Sequence, residues 1–146
     1  MSSGIKLKLE GFDELLSQIE KAGGTMEQAT ESCLKESAQI MQTELKSQMQ
    51  NADVDSGLID RMPSPQFEKE GNRFTARVGY KKGAYNPADP SDGYKVVFAN
   101  YGTPRRSEHG KMVAKGFIQK AKKSARPQIK KKQEATLKSI LERLRK

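Results

Sequence analysis

Two stretches of this chain repeat their apolar residues at steps of three and four, a spacing that no strand accommodates. In the first, Met26, Ala29 and Cys33 form one row, and Leu34, Ala38, Met41, Leu45 and Met49 form another. Such steps return to one face of a 3.6-residue helix, whereas a strand changes face at every residue. Two rows with polar residues between them describe a long helix buried along more than one side. Thr25-Met26-Glu27-Gln28 supplies its start, a capping box in which Thr25 accepts from the third helical amide and Gln28 reaches back. The helix should run to about Gln50. The second stretch keeps Ile118, Ala121, Ala125, Ile129, Gln133, Leu137, Ile140 and Leu144 on one face, with Lys and Arg filling the others. Pro127 removes one amide donor and disfavours helix at Arg126, so a kink or two helices meeting there is expected. A flexible basic end is expected after Leu144.

The shorter elements follow from alternation and from turn chemistry. Ile5, Leu7 and Leu9 alternate with Lys6, Lys8 and Glu10, the period of a half-buried strand over residues 4–10. Gly11 opens a short helix with Phe12, Leu15, Leu16 and Ile19 on one face, and Gly23-Gly24 stops it. Asp55-Ser56-Gly57 reads as a turn, and Pro63-Ser64-Pro65 keeps the chain extended. Phe74, Ala76, Val78 and Tyr80 alternate with Thr75, Arg77 and Gly79, giving a strand over 72–80. Residues 81–93, with Gly83, Pro87, Pro90 and Gly93 and no periodicity, read as a mobile loop that serves assembly rather than chemistry. Tyr94, Val96 and Phe98 alternate as a last strand. Tyr101-Gly102-Thr103-Pro104 reads as the turn that ends it, because Gly102 tolerates positive φ and Pro104 cannot continue a ladder. The expected fold is α+β, a single domain over 1–146. A small antiparallel sheet of 4–10, 72–80 and 94–99 carries the long helix and the C-terminal helix on one face.

Composition narrows the function classes. At 34% hydrophobic residues, with no Trp and a mean hydropathy of −0.81, the chain is polar for a free-standing globule of 146 residues. Such chains often bury further surface against partners. No run approaches the roughly 18 apolar residues of a membrane span, and the N-terminus lacks a signal-peptide pattern. Cys33 is the single cysteine, so no internal disulfide forms. A soluble intracellular or virion-resident protein is expected. Charge is divided unevenly: residues 1–104 hold 12 Lys and Arg against 15 Asp and Glu, whereas residues 105–146 hold 15 against 3. The basic region, 112–146 above all, suits an acidic partner surface, nucleic acid or simple solvation of a helix face.

No constellation for catalysis emerges. His109 is the sole histidine and lies in the polar stretch 105–111, without an orienting partner. Cys33 sits on an apolar helix row, which suits packing better than nucleophilic chemistry. Asp89-Pro90-Ser91-Asp92-Gly93 lacks the alternating ligands and terminal glutamate of a calcium loop. Asp53, Asp55 and Asp60 are explained by caps and turns, and no phosphate-cradling glycine loop exists. A protein without enzymatic activity, cofactor or metal is expected.

The order of the segments resembles one protein family. A short helix after Gly11-Phe12-Asp13-Glu14-Leu15-Leu16 precedes a long helix and then Val54-Asp55-Ser56-Gly57-Leu58. A strand, a loop, Tyr94–Phe98 leading to Tyr101-Gly102-Thr103, and Gly116-Phe117-Ile118 with Ala121 opening a terminal helix follow. From residue 4 to about 145 this resembles the bacteriophage tail-completion family, the gene-product-ten-like head–tail joining (minor tail) proteins of lambdoid siphophages. The family's Pro-Val-Asp-Thr-Gly-x-Leu is matched at Val54, Asp55 and Gly57, with Ser56 for Thr and Asp53 for Pro. Its Glu-Phe-Gly-Thr stands here as Asn100-Tyr101-Gly102-Thr103, and its Arg-Pro-Phe-Leu as Lys115-Gly116-Phe117-Ile118.

The resemblance implies a ring, typically six-fold, in the neck of a tailed phage or prophage relative, without catalysis. Its partners would be a head-side connector or adaptor and a tail terminator or tail tube protein, with passing contact to DNA. Candidate assembly contacts are Tyr85, Tyr94, Phe98, Tyr101, Gly102, Thr103 and Phe117. Candidate electrostatic contacts are Arg105, Arg106, Lys111, Lys115, Lys122, Lys123, Lys130 and Lys131. The alternative is a basic nucleic-acid-binding protein using the Lys-rich C-terminal helix. Against it stand the absence of interleaved aromatics and of a recognition-helix or zinc pattern.

Overall fold

In a computed structural model, which describes residues 4–70, 73–80, 92–101 and 115–146, both apolar-row stretches are helices. The elements run β1 (Gly4–Leu7), α1 (Asp13–Lys21), α2 (Met26–Asn51), α3 (Ser56–Asp60), β2 (Gln66–Glu70), β3 (Arg73–Gly79), α4 (Asp92–Tyr101) and α5 (Phe117–Leu144). The fold class is α+β, a small antiparallel sheet with a long helix and a C-terminal helix.

The central helix α2 begins where its cap does. Thr25 is extended, and its hydroxyl accepts from the Gln28 amide at 3.2 Å, satisfying one of the donors a helix start leaves open. The helix buries Leu34, Ala38, Met41, Leu45 and Met49 as the spacing demands. The other row is Ala29, Cys33 and Ser37; Met26, expected to head it, is 40% exposed. At the first turn the helix has not yet entered the core, so an apolar residue there is left at the rim.

Helix α5 lies antiparallel against α2, and apart from Ile118 its buried residues fall on every fourth position: Phe117, Ala121, Ala125, Ile129, Gln133, Leu137 and Leu141. Rows of i±4 spacing are the ridges that helices interlock. The alanines at 121 and 125 let the backbones approach. At the centre of the seam the polar groups are mutually satisfied. The Gln133 amide donates to Ser37 Oγ at 2.9 Å, and Ser37 Oγ donates to the Cys33 carbonyl at 2.7 Å. The Cys33 thiol lies 3.8 Å from the Gln133 carbonyl, and Thr136 donates to Glu36 beside it. A buried polar group so paired fixes register, because sliding either helix would orphan it.

Two helices do not meet at Pro127: α5 runs through it as one helix of 28 residues. Pro127 lies on the exposed side. Arg145 caps the helix at its end.

The sheet order is β1-β3-β2, with both pairs antiparallel. Ile5 opposite Val78 and Leu7 opposite Ala76 put one face against α2, while Lys6 and Arg77 share the outer face. The third strand is β2, not residues 94–99, which form α4. Helix α4 buries Gly93, Val96, Ala99 and Asn100, a helical spacing that includes two residues no hydropathy pattern counts. Asp92 and Gly93, read as the end of a loop, are its first turn. The expected turn at 55–57 is instead the start of α3, where the Asp55 carboxylate accepts from the Gly57 amide at 3.3 Å. Residues 81–91, the remainder of the expected mobile loop, lie outside the described residues.

A second apolar cluster joins α1 to this frame: Phe12, Leu16 and Ile19 meet Ala29, Cys33, Leu137 and Leu141. At Gly24, between α1 and α2, an added Cβ would lie 2.7 Å from Leu144 and 2.9 Å from Ile19, so the turn is closed down against the end of α5. Truncating Leu137, fully buried at this junction, is expected to cost about 2–5 kcal/mol. Met26→Gln should change stability by less than about 0.5 kcal/mol. Urea unfolding of the two variants checks both.

Candidate functional site

The two segments that hold Tyr85, Gly102 and Thr103 begin and end at one junction, built from α3, α4 and the start of α5. Residues 81–91 run from Tyr80 to Asp92, and both are tied to α3. The Tyr80 hydroxyl donates to the Leu58 carbonyl at 2.5 Å. Arg61 donates from Nε to Asp92 Oδ2 at 3.0 Å and from Nη2 to Oδ1 at 3.2 Å, a two-point pair across 31 residues of sequence. Gly57 leaves room for it: a Cβ there would sit 3.1 Å from Arg61 Nη1. Burial pushes the Tyr80 phenol well above its ordinary range, with Asp92 adding to the effect. The hydrogen bond from Arg61 holds the Asp92 carboxyl below its ordinary range.

Residues 102–114 are closed off in the same manner. The Lys115 amide donates to the Ala99 carbonyl at 3.1 Å and the Gly116 amide to the Asn100 carbonyl at 3.0 Å, so the end of α4 receives the chain as it returns. Gly116 then takes φ +63°, the left-handed conformation that favours glycine, and turns the backbone into α5. Because Gly116 has no side chain to cap that helix, Asn100 does so from 18 residues away, its Oδ1 accepting from the Ile118 amide at 2.8 Å. Asn100 is 1% exposed, and its buried Nδ2 has no hydrogen-bond partner among the described residues.

Of the candidate contacts, Tyr85, Gly102, Thr103, Arg105, Arg106 and Lys111 lie outside the described residues, between these fixed points. His109 does as well. Tyr94 and Phe98 are positions of helix α4 rather than of a strand, and Tyr101 is its half-buried last residue. Phe117 is corrected: it is fully buried in the chain's own core, where it anchors the start of α5 and cannot face a neighbour. Lys115 is also committed internally. Its ammonium donates to the Ala52 carbonyl at 2.8 Å, placing a cation on the negative end of α2. Lys122, Lys123, Lys130 and Lys131 are exposed on α5.

Sequence reasoning missed Arg61, Tyr80, Asp92 and Asn100 as the ties of this junction. Asp92 alone left a signal, an acidic residue suited to a helix's first turn. The other three act across 18 or more residues, where no local pattern reports them.

Elsewhere the surface holds an open groove of about 1000 Å³ between the sheet, the later half of α1 and the start of α2. Its glutamates sit among Lys6, Lys8 and Arg73, and Glu10 and Glu27 are already paired with Lys8 and Lys69. Lys69 also lies 5.2 Å from the centre of the Phe74 ring. Among the described residues no group of three His, Cys, Asp or Glu is placed to hold a metal ion, and no helix is long and apolar enough to cross a membrane. Cys33 is fully buried, and burial, with the charge of Glu36, pushes its thiol up to about 12. No protein-family model, curated protein or solved structure matches this chain.

Three outcomes follow from this geometry. Asn100→Ala should cost about 1 kcal/mol through loss of the α5 cap, read as a lower thermal midpoint. A carboxyl held low in the fold contributes stability above its ordinary pKa, and that contribution fades as pH falls through the lowered value. Urea midpoints of the parent and Asp92→Asn should therefore differ at pH 7 and converge on acidification. The Cys33 thiol should resist a disulfide reagent at pH 8 until denaturant is added. The thiol shift works in the opposite direction, favouring unfolding as pH rises from 9 toward 12.

Proposed function

We propose that this protein is a non-enzymatic virion structural protein of a tailed bacteriophage or prophage, forming a ring in the neck that joins the head connector to the tail. The observation that carries this reading is the single junction from which residues 81–91 and 102–114 depart and to which they return. These segments hold Tyr85, Gly102, Thr103, Arg105, Arg106 and Lys111. With Tyr80, Asp92, Ala99 and Asn100 fixed by hydrogen bonds, whatever the segments touch is touched from one end of a rigid body. That arrangement suits a subunit that must meet both a neighbouring copy and an axial partner. The sequence order that resembles the tail-completion family supports it from a separate direction.

Two further features fit ring assembly. Among the described residues strand β2 is a sheet edge, and an edge can accept another strand. Phe67, on edge strand β2, is 44% exposed. A contact between two different faces of the same chain, repeated about an axis, closes into a ring.

Light scattering at low and high salt tests the reading. A closed oligomer of about six chains is expected, either for the protein alone or after addition of connector or tail tube protein from the same phage. Tyr85→Ala is expected to weaken that assembly. A monomer that binds neither connector nor tube would overturn the proposal.

A further inference from the structure

Between Lys120 and Lys132 helix α5 carries six lysines, Arg126 and no acid. All seven cations are exposed, on the flanks and back of the helix whose buried row faces α2. Ion pairs among the described residues engage Lys8, Lys35, Arg61, Lys69 and Lys138, and none of these seven. Lys120, Lys123, Arg126 and Lys130 follow at steps of three and four, so they line one outward strip. From Lys120 to Lys132 the strip is roughly 18 Å long at 1.5 Å per residue.

We propose that this strip is a docking surface for the phosphate backbone of duplex DNA. Duplex DNA carries one charge per about 1.7 Å of axis, so the roughly 18 Å of duplex alongside the strip carries about ten phosphates around its circumference, some of them within reach. Six of the seven cations are lysines, compact point charges that suit backbone contact better than the two-point reading of a base edge. Residues 120–132 contain no aromatic side chain, so they offer no platform on which the bases of a single strand would stack. A second copy of this chain fits less well. Its groove glutamates are interleaved with cations and partly paired, and residues 1–104 carry an excess of only three acids. The proposal rests on the exposure and charge of α5 and stands apart from the neck reading.

Fluorescence anisotropy with a labelled mixed-sequence duplex of about 20 base pairs, between about 50 and 200 mM salt, tests it. Micromolar binding is expected at about 150 mM salt, independent of sequence, with log affinity falling against log salt at a slope of about −4. Lys123→Glu with Lys130→Glu should lower affinity at least about tenfold and flatten the slope by about two. Lys6→Glu with Arg77→Glu makes the same change in net charge on the outer face of the sheet and should lower affinity less than about threefold. Circular dichroism of both double variants confirms that they fold. Equal losses in the two variants would reduce the effect to bulk charge and overturn the proposal, as would no binding at 150 mM salt. Salt-sensitive self-association abolished by the α5 variant, without DNA binding, would overturn it in favour of a second copy.

Discussion

Everything positioned in this molecule depends on the antiparallel seam between α2 and α5. The seam is apolar along most of its length, and apolar contact alone would allow the helices to slide by a turn. Ser37 and Gln133 remove that freedom, since their hydrogen bonds exist in one register only. With register set, the far ends of both helices come together. Lys115 reaches the last carbonyls of α2, and Phe117 and Ile118 enter the core beneath the sheet.

The junction of α3, α4 and α5 is a consequence of that arrangement. Helix α4 is only ten residues long and would be marginal alone. It is held at its first turn by Arg61 from α3 and at its last by the return of the chain into α5. Asn100 joins the two helices most directly, because it ends one and caps the other. The buried nitrogen of the same side chain, unpartnered among the described residues, carries a desolvation cost, commonly about 1–3 kcal/mol. The fold accepts that cost to supply a cap that Gly116 cannot.

The long helices were legible in the sequence because burial on two sides forces apolar residues onto fixed steps, and Thr25 marked the start of one. Strands β1 and β3 were legible because each has one buried face. Strand β2 was not, since all five of its residues are exposed and no period arises; only pairing with β3 makes it a strand. Residues 94–98 misled because Tyr94, Val96 and Phe98 alternate, whereas the face that helix α4 buries includes Gly93 and Asn100. At Asp55 the local chemistry was right and the element wrong, because an Asx turn and a helix cap use the same bond from side chain to backbone. Pro127 was weighed as a breaker without knowing that it would face water. The junction itself was illegible: Arg61 with Asp92, and Tyr80 with Leu58, are pairings that only the tertiary fold creates.

The central claim is that α5 forms one continuous element with α2 and thereby fixes the junction of α3, α4 and α5. Native-state hydrogen exchange of the α5 amides tests it most directly. The account predicts that buried-row amides on both sides of Pro127, from Ala121 to Leu137, exchange only through global unfolding, together with those of Leu34 to Met49 in α2. If residues 117–126 instead opened independently, at a free energy well below that of α2, the seam would end at Pro127. The junction would then have no fixed base.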